Sequence, residues 1–179
     1  MGCHGDMHTE PEHTATIPPL GHYAISPSKS AVTFRTRHLF GLAPVRGRFA
    51  VRAGTVDVAE PIAASSVYAE VETASFRTPN PQRNRSVLSA RFLDSGRYPV
   101  MTFTAERIDW ERGELAGTLT VREASRPVSF RVSEFTAANG QFGARATARV
   151  DRTEFGITAA RGLAARYLDV AVEVTCVRS

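Results

Sequence analysis

From His22 onward, apolar and polar residues alternate with a period of two, the pattern of half-buried strands. Val32 and Phe34 lie on one side of residues 30–37, with Thr33, Arg35 and Arg37 on the other. Residues 38–45 break the alternation around Gly41 and Pro44, which predicts a turn. Residues 46–58 resume it as a strand pair or one bent strand, with Gly47 and Gly54 as bends. Val67, Ala69 and Val71 then point inward, opposite Tyr68, Glu70 and Glu72. Further alternating runs follow at residues 101–106, 115–122, 128–133, 142–150 and 168–176.

Residues 78–96 differ. Val87, Leu88, Phe92 and Leu93 recur at helical spacing, so one helix of modest length is expected there. Turn signals separate the later strands at residues 111–113, at residues 124–127 and at Asn139-Gly140, a dipeptide suited to a tight hairpin. Short antiparallel strands with a single helix give an all-β fold, a sandwich or an up-and-down barrel. Several inward positions are small: Ala69, Ala105, Gly117, Ala144, Ala146 and Ala148. A barrel of ~8 strands either fills its centre with side chains or holds one ligand. Here Phe34, Phe103, Phe130 and Phe142 must close the void, or an apolar, elongated guest must occupy it. A guest of roughly 30 heavy atoms at about 0.3 kcal/mol each would bind with on the order of 9 kcal/mol.

Composition narrows the classes. The chain has 179 residues, 42% of them hydrophobic and 22% charged, enough for one packed domain. No apolar run approaches the ~18 residues of a membrane span. Residues 1–21 carry Pro11, Pro18, Pro19 and Gly21 with no sustained periodicity and read as a flexible tail before a domain at 22–179. The tail lacks the apolar core of a secretory signal, so a cytoplasmic location is expected. The net charge is +4, and the basic residues are arginines apart from Lys29. They are scattered along the chain, which argues against nucleic acid as a partner. Cys3 and Cys176 lie at opposite ends, so no disulfide framework is expected. Cys3, His4, Met7, His8 and His13 are soft or borderline ligands, but their spacing matches no closed site, and no metal is assigned.

The ordered motifs have a family likeness. They are YAISPSKSAVTF at 23–34, RHLFGLAPVRGRF at 37–49, SSV at 65–67, RNRSVLSARFLD at 83–94, YPVMTF at 98–103, GTLTV at 117–121, RPV at 126–128 and RTEFG at 152–156. Together they resemble the YceI-like family of polyisoprenoid-binding proteins across residues 23–174. The resemblance implies an extended eight-stranded antiparallel, lipocalin-like barrel around a long apolar pocket. It also implies a bound isoprenoid chain, isoprenoid quinone or related long-chain lipid, no other cofactor, and a homodimer. One segment departs from the family pattern Arg-Asp-x-His-Leu-Arg-Ser-x-Asp-Phe: Asn84, Ser86, Leu88 and Arg91 replace its Asp, His, Arg and second Asp. A different head-group preference is the expected consequence.

The candidate wall comprises Val32, Phe34, Phe49, Val67, Val71, Leu88, Phe92, Met101, Phe103, Leu119, Phe130, Phe142, Ala146 and Val172. His38, in the first turn, either contacts a ligand head or orders the turn through a hydrogen bond, the second being the simpler reading. Arg46 and Arg48 are candidates to pair with acids such as Asp57. Tight-turn geometry is the expected reason for Gly47. Residues 152–156 read as a turn in which Phe155 plugs a barrel end and Arg152 pairs with Asp151 or Glu154. No nucleophile elbow, zinc-protease helix, phosphate loop or dinucleotide fingerprint is present, so no catalytic residue is assigned. The leading reading is non-catalytic binding, sequestration or transport of a long-chain isoprenoid or acyl lipid. The alternatives are an enzyme or stress factor acting on a small apolar substrate, with Cys176 the nearest reactive group, and a filled barrel serving as an interaction scaffold.

Overall fold

A computed structural model describes residues 18–38 and 41–179, with the His38 side chain outside the described set. The strands are β1 (Gly21–Ile25), β2 (Ala31–His38), β3 (Ala43–Val58), β4 (Ser66–Glu72), β5 (Val100–Asp109), β6 (Glu114–Val121), β7 (Ala124–Ala138), β8 (Gln141–Asp151) and β9 (Tyr167–Arg178). Among the described residues the single α-helix is α1 (Pro81–Leu88). All pairings are antiparallel, and neighbours in sequence pair from β2 to β9. The circle closes because β2 also pairs with β9, Val32 opposite Val172. β1 pairs with the same two strands, β3 and β9. β1 and β2 are therefore two halves of one stave, interrupted by a 3-10 turn at Pro27–Lys29, and the barrel has eight staves.

Three bulges shape this barrel. Register shifts occur between Val51 and Ala53, between Thr104 and Arg107, and between Val132 and Glu134. Each inserts residues without a cross-strand partner and reverses which alternate side chains face inward. The 46–58 segment is accordingly one bent strand. Gly47 is not at a turn. A Cβ there would lie 2.3 Å from the Phe34 ring and 2.7 Å from Arg77 O, so the residue lets an aromatic ring lie across the β2–β3 ribbon. The turn expected at residues 124–127 lies instead at Arg122 and Glu123, where Arg122 has φ 58°, and Pro127 sits inside β7 opposite Thr118. Asn139 and Gly140 do form a tight hairpin, both with positive φ.

Among the described residues no strand pairs with the outer edge of the first half of β3. Residues 73–77 cover it: Ala50 N–H donates to Ser75 Oγ at 2.7 Å, and Arg48 and Arg77 exchange both backbone hydrogen bonds at 3.0 Å. α1 follows, shorter than the 78–96 pattern predicts. Asn80 caps it by accepting from Arg83 N–H at 3.0 Å, and Pro81 occupies the first turn. Val87, Leu88, Phe92 and Leu93 then pack into the barrel end against Phe34, Phe49, Phe76, Val121 and Phe155. The opposite end holds a second cluster of Tyr23, Ile25, Val56, Val58, Phe142 and Cys176.

Candidate functional site

Between these two packed ends the barrel axis is hollow. The cavity has a volume of about 290 Å³ and extends from Ile25, Val58 and Trp110 at one end to Leu93, Phe155 and Ile157 at the other. Its wall is almost wholly aliphatic and aromatic. Val32, Phe49, Val67, Val71, Met101, Phe103, Leu119, Phe130, Phe142, Ala146 and Val172 all face it, as the strand alternation predicts. Three other predicted positions lie behind the wall. Phe34 is buried and stacks on Phe76 with ring centroids 5.4 Å apart, while Leu88 and Phe92 pack into the clusters that seal the α1 end. His38 ends β2, and its side chain is outside the described residues, as is the tail group Cys3, His4, Met7, His8 and His13.

Of the six small residues read as inward, Ala148 does not line the cavity, and the other five divide into two groups. Ala69, Ala144 and Ala146 line the cavity and keep it open. Gly117 and Ala105 are covered by aromatic bulk, since a Cβ on Gly117 would lie 2.6 Å from Phe103 and 2.9 Å from Ala105 Cβ. Phe103 in turn meets Phe130 edge-on at 5.1 Å. Near the opposite end Trp110, Phe135, Phe142 and Tyr23 form a run of aromatic contacts at 4.8–5.4 Å. The phenylalanines thus buttress the ends and sides without plugging the axis. Ile108, Trp110 and Phe135 belong to the wall although the alternation of the preceding residues points them outward. The bulges in β5 and β7 turn them inward.

The few polar wall groups are mostly engaged with the protein's own backbone. Ser65 Oγ accepts from Ala59 N–H at 2.9 Å. Arg152, the one charged residue of the wall among the described residues, pairs with no carboxylate among them. Its guanidinium donates to the carbonyls of Ala165, Ile157, Ala159 and Ala164 at 2.7–3.1 Å, and so fastens the loop of residues 156–166. Asp151 instead accepts from the Thr153 amide and hydroxyl and from Arg166. Asp57 is paired with His22, not with Arg46 or Arg48. The Trp110 indole N–H is buried without a hydrogen-bond partner.

The α1 segment, where the sequence departs from the family pattern, makes no cavity wall. Asn84 Oδ1 accepts from the Thr78 amide and hydroxyl, and its Nδ2 donates to Thr78 O, fixing the loop before the helix. Ser86 and Arg91 are exposed. Cys176 is fully buried beside Tyr23 and Phe142, and burial pushes its thiol up to about 12, which keeps it protonated and unreactive. Among the described residues no group of three or more His, Cys, Asp or Glu could hold a metal ion. No helix among them is long and apolar enough to cross a membrane.

Comparison with known proteins agrees with this architecture. A UPF0312 protein of Vibrio cholerae is 30% identical over 155 residues, covering 81% of this chain and 80% of the relative. Protein YceI of Escherichia coli O157:H7 is 28% identical over 152 residues, covering 80% and 78%. Among solved structures, Burkholderia cenocepacia BcnA superimposes with a TM-score of 0.72 at 17% identity, over 84% of this chain and 98% of that one. A polyisoprenoid binding domain from Saccharophagus degradans, implicated in plant cell wall breakdown, gives 0.68 at 12% identity, over 90% and 100%. The YceI-like domain model matches residues 23–177, essentially the whole barrel, and the chain belongs to that family.

Proposed function

We propose that the barrel binds, sequesters or carries a long-chain isoprenoid or related acyl lipid without chemical conversion. The observation that carries this reading is the continuous apolar cavity of about 290 Å³ along the axis. Its size is near the lower end of the ~300–1,000 Å³ typical of small-molecule sites, and its elongated form suits a single chain rather than a bulky ring system. Binding is by burial, worth about 25 cal/mol for each Å² of apolar surface removed from water. Ser65 and Arg152 hydrogen-bond to the protein's own backbone, so the wall selects for an uncharged tail. The domain of Saccharophagus degradans, described as polyisoprenoid-binding, supports the same ligand class. The buried, protonated Cys176 thiol weighs against an enzyme that uses it as nucleophile.

Native mass spectrometry of protein purified from its own host, followed by organic extraction, tests the reading. A stoichiometric prenyl or acyl lipid is expected. Protein that carries no lipid and takes up neither prenyl alcohols nor fatty acids on incubation would overturn it.

A further inference from the structure

Folding gathers arginines that are scattered in sequence. No Asp or Glu occurs between Glu12 and Asp57, and the strands built from this stretch place Arg35 directly opposite Arg46. Arg48 is bridged to Arg77 beside them, and all four are exposed. Around the same barrel end, an outer groove lies between the β2–β3 hairpin and the 156–166 loop. Ala165 N–H donates to Arg37 O at 3.1 Å, joining loop to strand. Arg37, Arg149, Arg152, Arg161 and Arg166 line this groove, and Asp169 is the one acid among its lining residues.

Like charges directly opposite one another on adjacent strands are destabilising. Asp169 offsets this in part, lying in register with both Arg35 and Arg149. Within the groove Arg149 pairs with Asp169 at 3.5 Å and Arg166 with Asp151 at 2.6 Å, as Arg145 does with Glu134 and Glu173, Arg131 with Glu114 and Arg52 with Glu70 elsewhere on the wall, whereas Arg35, Arg37, Arg46, Arg48, Arg77 and Arg161 meet no carboxylate among the described residues. The positive excess therefore belongs to one end. Two leucines project from its rim, Leu42 at 84% exposure next to Gly41 and Leu163 at 48% next to Gly162, and both glycines line the groove.

We propose that this end of the barrel is a docking surface for an anionic lipid bilayer, with Leu42 and Leu163 entering the interface and the exposed arginines Arg35, Arg37, Arg46, Arg48 and Arg161 meeting lipid phosphates. Apolar side chains flanked by clustered basic ones are the elements of interfacial attachment, in which buried apolar area and attraction to anionic lipid add. Nucleic acid fits less well. Tyr167, the aromatic residue lining the groove, carries Arg149 and Arg166 against its ring at 5.0 and 5.2 Å, so it offers no open platform for base stacking. Projecting leucines add nothing to phosphate binding on a duplex. The surface adjoins the lumen, since Arg152 borders both groove and cavity.

Vesicle co-sedimentation of the full chain tests this without reference to what the cavity holds, so its failure leaves the lipid-binding reading standing. The vesicles are phosphatidylcholine alone or phosphatidylcholine with roughly 30% phosphatidylglycerol. Binding is expected to the anionic vesicles only, and to be lost between about 50 mM and about 500 mM NaCl as screening shortens. The double variant Arg35→Glu/Arg46→Glu is expected to weaken binding by on the order of tenfold or more. Leu42→Asp should weaken it at unchanged fold, because the side chain is exposed. Equal binding to neutral vesicles, binding to neither, unaltered binding by both variants, or displacement from vesicles by a short oligonucleotide at matched phosphate concentration would overturn the proposal.

Discussion

Gly47 shows how much one missing side chain decides. Alanine there must displace either the Phe34 ring or the backbone carbonyl of Arg77, and the carbonyl cannot easily move because it accepts from Arg48 N–H at 3.0 Å. Gly47→Ala is expected to cost about 1–3 kcal/mol, measurable by urea unfolding. Ala146 is the opposite case, a small residue facing open space between Val132 and Val172. Ala146→Trp should fill the lumen and cut lipid occupancy in native mass spectra while the circular-dichroism melt stays cooperative. Cys176 supplies a pH test. Its folded thiol titrates near 12, above the ordinary value of 9.0. The unfolded chain therefore loses this proton first, and stability falls as pH rises from about 9 towards 12. Cys176→Ala should flatten that part of the stability profile relative to the parent protein. Peptide mapping after alkylation at mild pH should find Cys176 unlabelled until the chain is denatured.

At the scale of elements, Arg152 and Asp151 together hold the loop of residues 156–166. Replacing Arg152 by leucine leaves four carbonyls without their donor and is expected to cost about 2–4 kcal/mol, with faster amide exchange in the loop. Burial raises the Asp151 pKa, but hydrogen bonds from Thr153 and Arg166 outweigh it and hold the carboxyl below its ordinary range. A group depressed in the folded state adds stability that is present above that range and lost as pH falls through the folded value. Asp151→Asn should therefore be less stable than the parent near neutrality and show a shallower acid transition. The strand alternation made most of the wall legible: Val67 and Val71, Leu119, Phe142 and Ala146, and Val172 all face inward as read. What it hid are the bulges. Beyond them Val56 and Val58, Ile108 and Trp110, and Phe135 point inward on the reversed phase. Gly54, expected as a bend, directly follows the β3 bulge and Gly117 lies opposite the β5 bulge, whereas at the β7 bulge the one sign in the sequence is the change of phase within the strand. Arg152 was misread because a guanidinium suggests a carboxylate, whereas here it serves a loop of carbonyls.

For the whole molecule, the closed sheet leaves its strands no free central edge, and its stability depends on what fills the axis. A lipid present at about a hundred times its Kd would stabilise the folded state by about 2.7 kcal/mol. For a domain of this size that corresponds to a rise of about 5–10 °C in Tm. Extracted protein should melt lower by that interval and recover on reloading, whereas a barrel indifferent to lipid would melt the same either way. The α1 end combines the seal made by Leu88, Phe92 and Phe155 with the external arginines, so the packing that closes the lumen and the charge that faces outward share a few loops.

Trp110 is the only tryptophan in the chain, and it stands in the cavity wall with its indole N–H unpaired. The barrel thus carries its single tryptophan fluorophore, selectively excitable over the tyrosines, at the place where water and hydrocarbon would exchange. A blue shift in its emission during loading, and the reverse on extraction, would follow occupancy in real time without any dye or label.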